Sequence, residues 1–147
     1  MKRSLPIAFT LVMGAALALG PISAGQPADP AKVVVAKSQL AVVWTSGDPE
    51  VAHRVCLMYT HAAKQQKWFD EVILIVWGPS ARLLAADKDL QSKVIAMAKD
   101  GVILQACVVC ADQYGVSDRL RKLGFDVKPM GKPLSDMLKQ GWKILTF

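Results

Sequence analysis

Glu71-Val72-Ile73-Leu74-Ile75-Val76-Trp77, followed at once by Gly78-Pro79-Ser80, decides the fold. The apolar residues run on without the polar alternation of a half-exposed strand, so the stretch is a strand buried on both faces. Gly78-Pro79-Ser80 stops it and opens a helix from Ala81 to about Ala86. Upstream, Leu40-Ala41-Val42-Val43-Trp44 is a second run of the same kind, ending at Thr45-Ser46-Gly47-Asp48-Pro49. Pro49 suits a first helical turn with Asp48 as its N-cap. The helix that follows carries two apolar series, Val51/Val55/Met58/Ala62 and Ala52/Cys56/Tyr59/Ala63, which together predict one core-facing side. Downstream, Leu90, Val94, Met97 and Ala98 mark a helix ending near Gly101, and Val102-Ile103-Leu104-Gln105-Ala106 is a third strand. Ala111 to Tyr114 form a helical turn ended by Gly115, Ser117 caps a helix carrying Leu120 and Leu123, and Phe125-Asp126-Val127-Lys128 is a short fourth strand. Pro133 starts a helix with Leu134, Met137 and Leu138 on one side, and the last strand is Trp142-Lys143-Ile144-Leu145-Thr146-Phe147.

Strands alternating with helices predict an α/β domain with right-handed crossovers and a mostly parallel sheet covered on both faces. Reactive groups in such sheets gather beyond the carboxyl ends of the strands. The loops that matter are therefore 45–48, 78–80, 107–114 and 130–133.

The chain has 147 residues, enough for one domain with a proper core. Its 52% apolar content excludes disorder as the main state, and three cysteines exclude a disulfide-framework miniprotein. Residues 1–24 have the layout of a secretory signal: Lys2-Arg3, an uncharged apolar stretch from Leu5 to Leu19, then Ser23-Ala24-Gly25. The stretch is about 15 residues, short of the roughly 20 that span a bilayer. Cleavage is expected after Ala24, although Ile22 is not ideal three positions before it, with an uncleaved anchor as the rival. Lys2 and Arg3 would leave with the signal, no acid would, and the net charge would fall from +6 to +4. Residues 25–37, with Pro27 and Pro30, are expected to be a linker, and 38–147 the folded domain. Seven Lys/Arg against three Asp in residues 115–147 make a mild basic bias. Without a dense basic run interleaved with aromatics, this does not indicate nucleic-acid binding.

Cys107-Val108-Val109-Cys110 sits where a strand ends and a short helix begins. A thiol there meets unpaired N–H groups and the positive end of the helix dipole, which favour thiolate, the form that reacts with sulfane sulfur and disulfides. Three rival readings stand beside this one. The pair is a structural disulfide, though its small loop would stabilise weakly; or half of a zinc site completed by His53 and Cys56, which share a helix face; or a thioredoxin-type redox pair, though Val108-Val109 replaces the usual Gly-Pro. Cys56 alone reads as a buried apolar residue, and His53 and His61 as solvent-facing.

Residues 106–116 (Ala-Cys-Val-Val-Cys-Ala-Asp-Gln-Tyr-Gly-Val) resemble the cysteine segment of the DsrE/DsrF-like (YchN-like) family. So do Met130-Gly131-Lys132-Pro133-Leu134 and the closing Gly141-Trp142-Lys143-Ile144-Leu145-Thr146-Phe147, while Val43-Trp44-Thr45-Ser46-Gly47-Asp48 and Val76-Trp77-Gly78-Pro79-Ser80 fit the same small-protein branch. The resemblance implies a three-layer α/β/α sandwich around a mostly parallel five-stranded sheet. It also implies homo-oligomers, often trimers or hexamers, and a sulfur-relay chemistry in which one cysteine carries sulfane sulfur as a persulfide to a partner protein. Cys107 matches that cysteine, and Cys110 matches a second one found in some branches. The secretory leader is a departure, because the best-understood relay members are cytoplasmic. The compatible expectation is a periplasmic or secreted sulfane-sulfur carrier acting through Cys107 with Cys110, with unnamed sulfur donor and acceptor proteins, no cofactor and no stable membrane insertion after cleavage. A non-catalytic oligomeric binding module with a Cys107–Cys110 disulfide is the alternative. Thr45, Ser46, Trp77 and Tyr114 are the expected pocket-lining residues.

Overall fold

The computed structural model describes residues 37–147. The expected signal peptide, and all of the expected linker but Lys37, lie outside the described residues. Strands β1 (Gln39–Trp44), β2 (Glu71–Val76), β3 (Ile103–Cys107), β4 (Asp126–Lys128) and β5 (Lys143–Thr146) form one sheet in the order β4-β3-β2-β1-β5, with every pair parallel. Between β1 and β2 come α1 (Pro49–Val51), a π-helical turn (Ala52–Cys56) and α2 (Leu57–Gln65). Then α3 (Pro79–Ala86) and α4 (Lys88–Lys99) lead to β3, α5 (Val108–Gln113) and α6 (Ser117–Lys122) to β4, and α7 (Gly131–Lys139) to β5. This is the α/β/α sandwich the sequence predicts, with a sheet that is wholly parallel.

Alternation along the strands sorts the core into two layers. Leu40, Val42 and Trp44 of β1 join Val72, Leu74 and Val76 of β2 in one cluster with Cys56, Leu57, Leu84, Leu90, Val94, Met97, Ala111 and Leu120. Ala41, Val43, Ile73 and Ile75 face the other way, with Cys107, Met130 and Met137. The chain steps from β1 to β4 in one direction and then returns across the sheet to β5. Right-handed crossovers put the helices of the outward steps on one face and that of the return on the other. Among the described residues, one face therefore carries α1 to α6 and the other α7 alone.

Several local expectations change. The helix after Asp48 buries Ala52, Cys56 and Ala63, while Val55 and Met58 of the other series are exposed, Met58 by 61%. At 3.6 residues per turn the buried Ala52, Cys56, Leu57, Thr60 and Ala63 make one stripe, and Val55 and Met58 fall outside it, so only one of the two series faces the core. Asp48 caps as expected, its Oδ1 accepting from the backbone N–H of Glu50 at 2.7 Å. Ser117 does not cap: it is the first residue of α6, Val116 holds the N-cap position, and the Ser117 hydroxyl donates to Asp112. The last helix begins at Gly131 rather than Pro133, because a proline in the first turn lacks only an N–H that has no helical partner there. His53 and His61 are part-buried and paired rather than free in solvent. His53 Nε2 lies 3.4 Å from Asp87 Oδ2, and His61 Nε2 lies 2.6 Å from Asp100 Oδ2.

Leu74→Ala, at a fully buried position of the central strand, should lower unfolding free energy by about 2–5 kcal/mol in urea titrations. Met58→Ala should leave it within about 0.5 kcal/mol. Acid should also weaken the fold through Asp87, whose carboxylate accepts N–H bonds from Leu90 and Asp89 at the start of α4 and faces His53. The Leu90 N–H above all holds its pKa below the ordinary value. A depressed folded-state pKa gives stability that is present above the unfolded pKa, about 3.9, and is lost as pH falls through the folded one. Asp87→Asn should flatten the fall of melting temperature between neutral and strongly acidic buffer.

Candidate functional site

Parallel pairing brings the carboxyl ends of the strands to one edge. The register aligns Trp44 with Val76 and Val76 with Ala106, so the chain leaves β1, β2 and β3 at nearly the same level. Ser80 ties the first two exits together. Fully buried, its hydroxyl donates to the Trp44 carbonyl at 2.5 Å and accepts from the Trp77 N–H at 3.2 Å, while Trp77 N–H also reaches the Trp44 carbonyl at 3.0 Å. The loops approach so closely that a Cβ on Gly47 would stand 3.1 Å from the Pro79 Cβ. Gly78 takes φ +75°, a conformation side chains resist.

Cys107 is both the last residue of β3 and the N-cap of α5. Its side chain points to the α7 face, where it is 5% exposed among Ile75, Met130 and Met137. Cys110, three residues on and so on the same side of the helix, is half-buried against that cluster, which Trp77 also packs against. All three cysteines are free thiols. The Cys110 sulfur lies beside the Cys107 thiol and the Gly78 backbone N–H. Burial first, and then the neighbouring Cys107 thiol, push the Cys110 thiol above its ordinary pKa, against the opposing pull of the Gly78 N–H.

This differs from the expectation in one respect. Among the described residues the Cys107 side chain makes no capping bond to the N–H groups of α5. The pleat of β3 commits that side chain to the α7 layer, whereas α5 packs through Ala111 on the opposite one. The N–H that reaches a sulfur comes from the neighbouring loop, at Gly78, and it reaches Cys110. Neither Ser80 nor Gly78 was singled out in the sequence as part of this arrangement. The Gly-Pro-Ser stop after β2 was the available signal.

The other expected residues separate into two groups. Trp77 packs against the same buried cluster as Cys110, and Tyr114 lies one helical turn beyond Cys110, 37% exposed, with the Arg82 guanidinium 5.4 Å from its ring centroid. Thr45 and Ser46 belong to the closure of the sheet edge. The Thr45 hydroxyl and N–H and the Ser46 N–H all donate to the main-chain oxygen of Phe147, at 2.8, 2.7 and 3.1 Å. They follow β1, which β2 separates from β3. The zinc alternative fails on topology. Cys56 lies in the layer under α1 to α6 and Cys107 in the layer under α7, and the sheet stands between them. His53 is engaged by Asp87 and by Lys93 Nζ, 2.8 Å from its Nδ1. Among the described residues no three His, Cys, Asp or Glu side chains converge as a metal site. Two open surface grooves, of about 660 Å³ along 64–70 and about 360 Å³ between α2 and α4, include neither thiol.

The model of the DsrE/DsrF-like family matches residues 39–147. The chain belongs to this family. A conserved protein of unknown function from Bacteroides thetaiotaomicron, BT1422, is 32% identical, with a TM-score of 0.72 over 75% of this chain and 95% of that one. The YchN protein of E. coli, 16% identical, has a TM-score of 0.60 over 75% of this chain and 99% of its own, a likeness of fold. No curated protein matches. Membership of the DsrE/DsrF-like family suggests a role related to sulfur relay.

Burial raises the pKa of Cys56 to about 12, so its thiol stays protonated at every pH where the protein is handled. Iodoacetamide at pH 8 should therefore modify the Cys107–Cys110 pair in the native protein and add the third label, on Cys56, only in denaturant. Peptide mapping checks the order.

Proposed function

We propose that this domain is a thiol-based carrier of sulfane sulfur, working outside the cytoplasm through Cys107 and Cys110. The observation that carries the reading is that two free thiols, Cys107 and Cys110, meet on one face of the sheet at the strand edge. In the loading step, Cys107–S⁻ attacks the outer sulfur of a donor persulfide R–S–SH. The Cys107 S–S bond forms, the donor S–S bond breaks, and R–S⁻ leaves. The outer sulfur of Cys107–S–SH then passes to an acceptor thiolate, which restores Cys107–S⁻. In its absence, Cys110 loses its proton and attacks the inner sulfur, which closes the Cys107–Cys110 disulfide and expels HS⁻. The two thiols are thereby oxidised and the sulfane sulfur reduced, and an external thiol must reopen the disulfide. Because Cys110 is held above its ordinary pKa, this second path quickens as pH rises into the alkaline range.

The 5% exposure of Cys107 favours a second reading, a homo-oligomeric binding module that rests as the disulfide. In either case the working form proposed is a homo-oligomer, trimer or hexamer, as in the family at large. Reduced protein treated with polysulfide and read by intact mass should gain one sulfur atom, located on the Cys107 peptide. Cys107→Ser should abolish it, and Cys110→Ser should keep it and prolong its life. No added sulfur on the fully reduced protein, with a reduction potential below about −300 mV, would replace the carrier with the module.

A further inference from the structure

Gln105 stands two residues before Cys107 on β3, so their side chains project from the same face of the sheet. Its cross-strand neighbours are Ile75 on β2 and Asp126 on β4. The residue is 9% exposed, and its Oε1 is buried and without a hydrogen-bond partner among the described residues. A buried amide oxygen left unpaired costs free energy that an apolar side chain of the same shape would not. Among the described residues two other buried side-chain polar atoms are unpaired, the indole Nε1 of Trp44 and of Trp142. Trp44 faces the opposite layer, and Trp142 precedes β5 at the amino end of the strands, so neither is near the sulfurs. Gln105 alone shares the face and the strand of Cys107.

We infer that the side-chain amide of Gln105 holds the outer sulfur of a persulfide on Cys107. This rests on the carrier reading above. Oε1 is shielded from solvent, so a group arriving from a docked partner does not reach it. A sulfur atom added to Cys107 arrives from inside the same layer. The residues are about 6.6 Å apart along the strand, a gap shared between the Gln105 side chain and the lengthened Cys107. The amide serves both protonation states of the cargo: Oε1 accepts from S–SH, and after a half-turn of its last torsion Nε2 donates to S–S⁻. Gln105 makes and breaks no covalent bond. It stabilises the loaded state relative to the empty one, in which its oxygen has no partner.

The test uses the full chain carrying Cys110→Ser, loaded with inorganic polysulfide and followed by intact mass at a fixed concentration of dithiothreitol. Gln105→Met, which keeps the length and removes the amide, should shorten the persulfide lifetime about tenfold, the loss of one hydrogen bond to a charged group. Its urea midpoint should equal or exceed that of the parent, where a purely structural glutamine would lower it. Equal lifetimes with and without the amide would overturn the assignment and leave the carrier standing. No sulfur on the parent would remove the carrier and the assignment with it. If Gln105→Met fails to fold, Gln105→Glu is read across pH. Its persulfide yield should fall as the carboxylate ionises beside the anionic sulfur, and a yield that follows the parent at every pH would overturn the assignment.

Discussion

Side chains alternate across a parallel sheet, and each strand here enters the sheet with that alternation already committed. On β3 the alternation sends Leu104 and Ala106 to the layer beneath α1 to α6, and Gln105 and Cys107 to the layer beneath α7. Both sulfurs of the pair consequently meet an apolar surface built by Ile75, Met130, Met137 and Trp77. The first turn of α5 then returns Cys110 to the same surface. Shifting β3 by one residue would turn Cys107 into the crowded helical layer. The register with β2 and β4 is therefore the constraint that the site depends on.

Two devices keep that register useful at the loop edge. The Ser80 hydroxyl bridges the ends of β1 and β2, so the turn that follows β2 is held from within rather than by its own residues. Gly78, in a conformation that a side chain would strain, can then aim its N–H at the Cys110 sulfur. The two thiols are thus unequal. One is buried at the end of a strand, while the other is half-exposed, its pKa raised by burial and by its neighbour against the pull of the Gly78 N–H.

The uneven covering of the sheet has a further effect on the site. Among the described residues, α1 to α6 and the π turn close one face, and α7 alone crosses the other. The layer that holds the sulfurs is the thinner of the two, and Ile103 and Leu138 remain exposed near it. A buried polar atom such as Gln105 Oε1 is expensive in any core. In the layer that holds Cys107 and Cys110 it would give the proposed loaded protein a contact that the empty protein lacks.

The order of strands and helices, the parallel sheet, the capping role of Asp48 and the position of Cys107 at a strand–helix junction were all legible in the residues, because each follows from local periodicity and from turn chemistry that acts over a few positions. The burial of Cys56 was legible for the same reason. The outward face of Val55 and Met58 was not, since apolar residues on both series left open which one the sheet would cover. Nor was the displacement of Thr45 and Ser46 to the Phe147 edge, which depends on β5 pairing beside β1 after about a hundred intervening residues. The separation of Cys56 from Cys107 by the sheet, the Gly78 donor and the unpaired Gln105 oxygen were decided only in three dimensions. Each arises between segments distant in the chain, whose contact is set by strand order and crossover hand rather than by the side chains that meet.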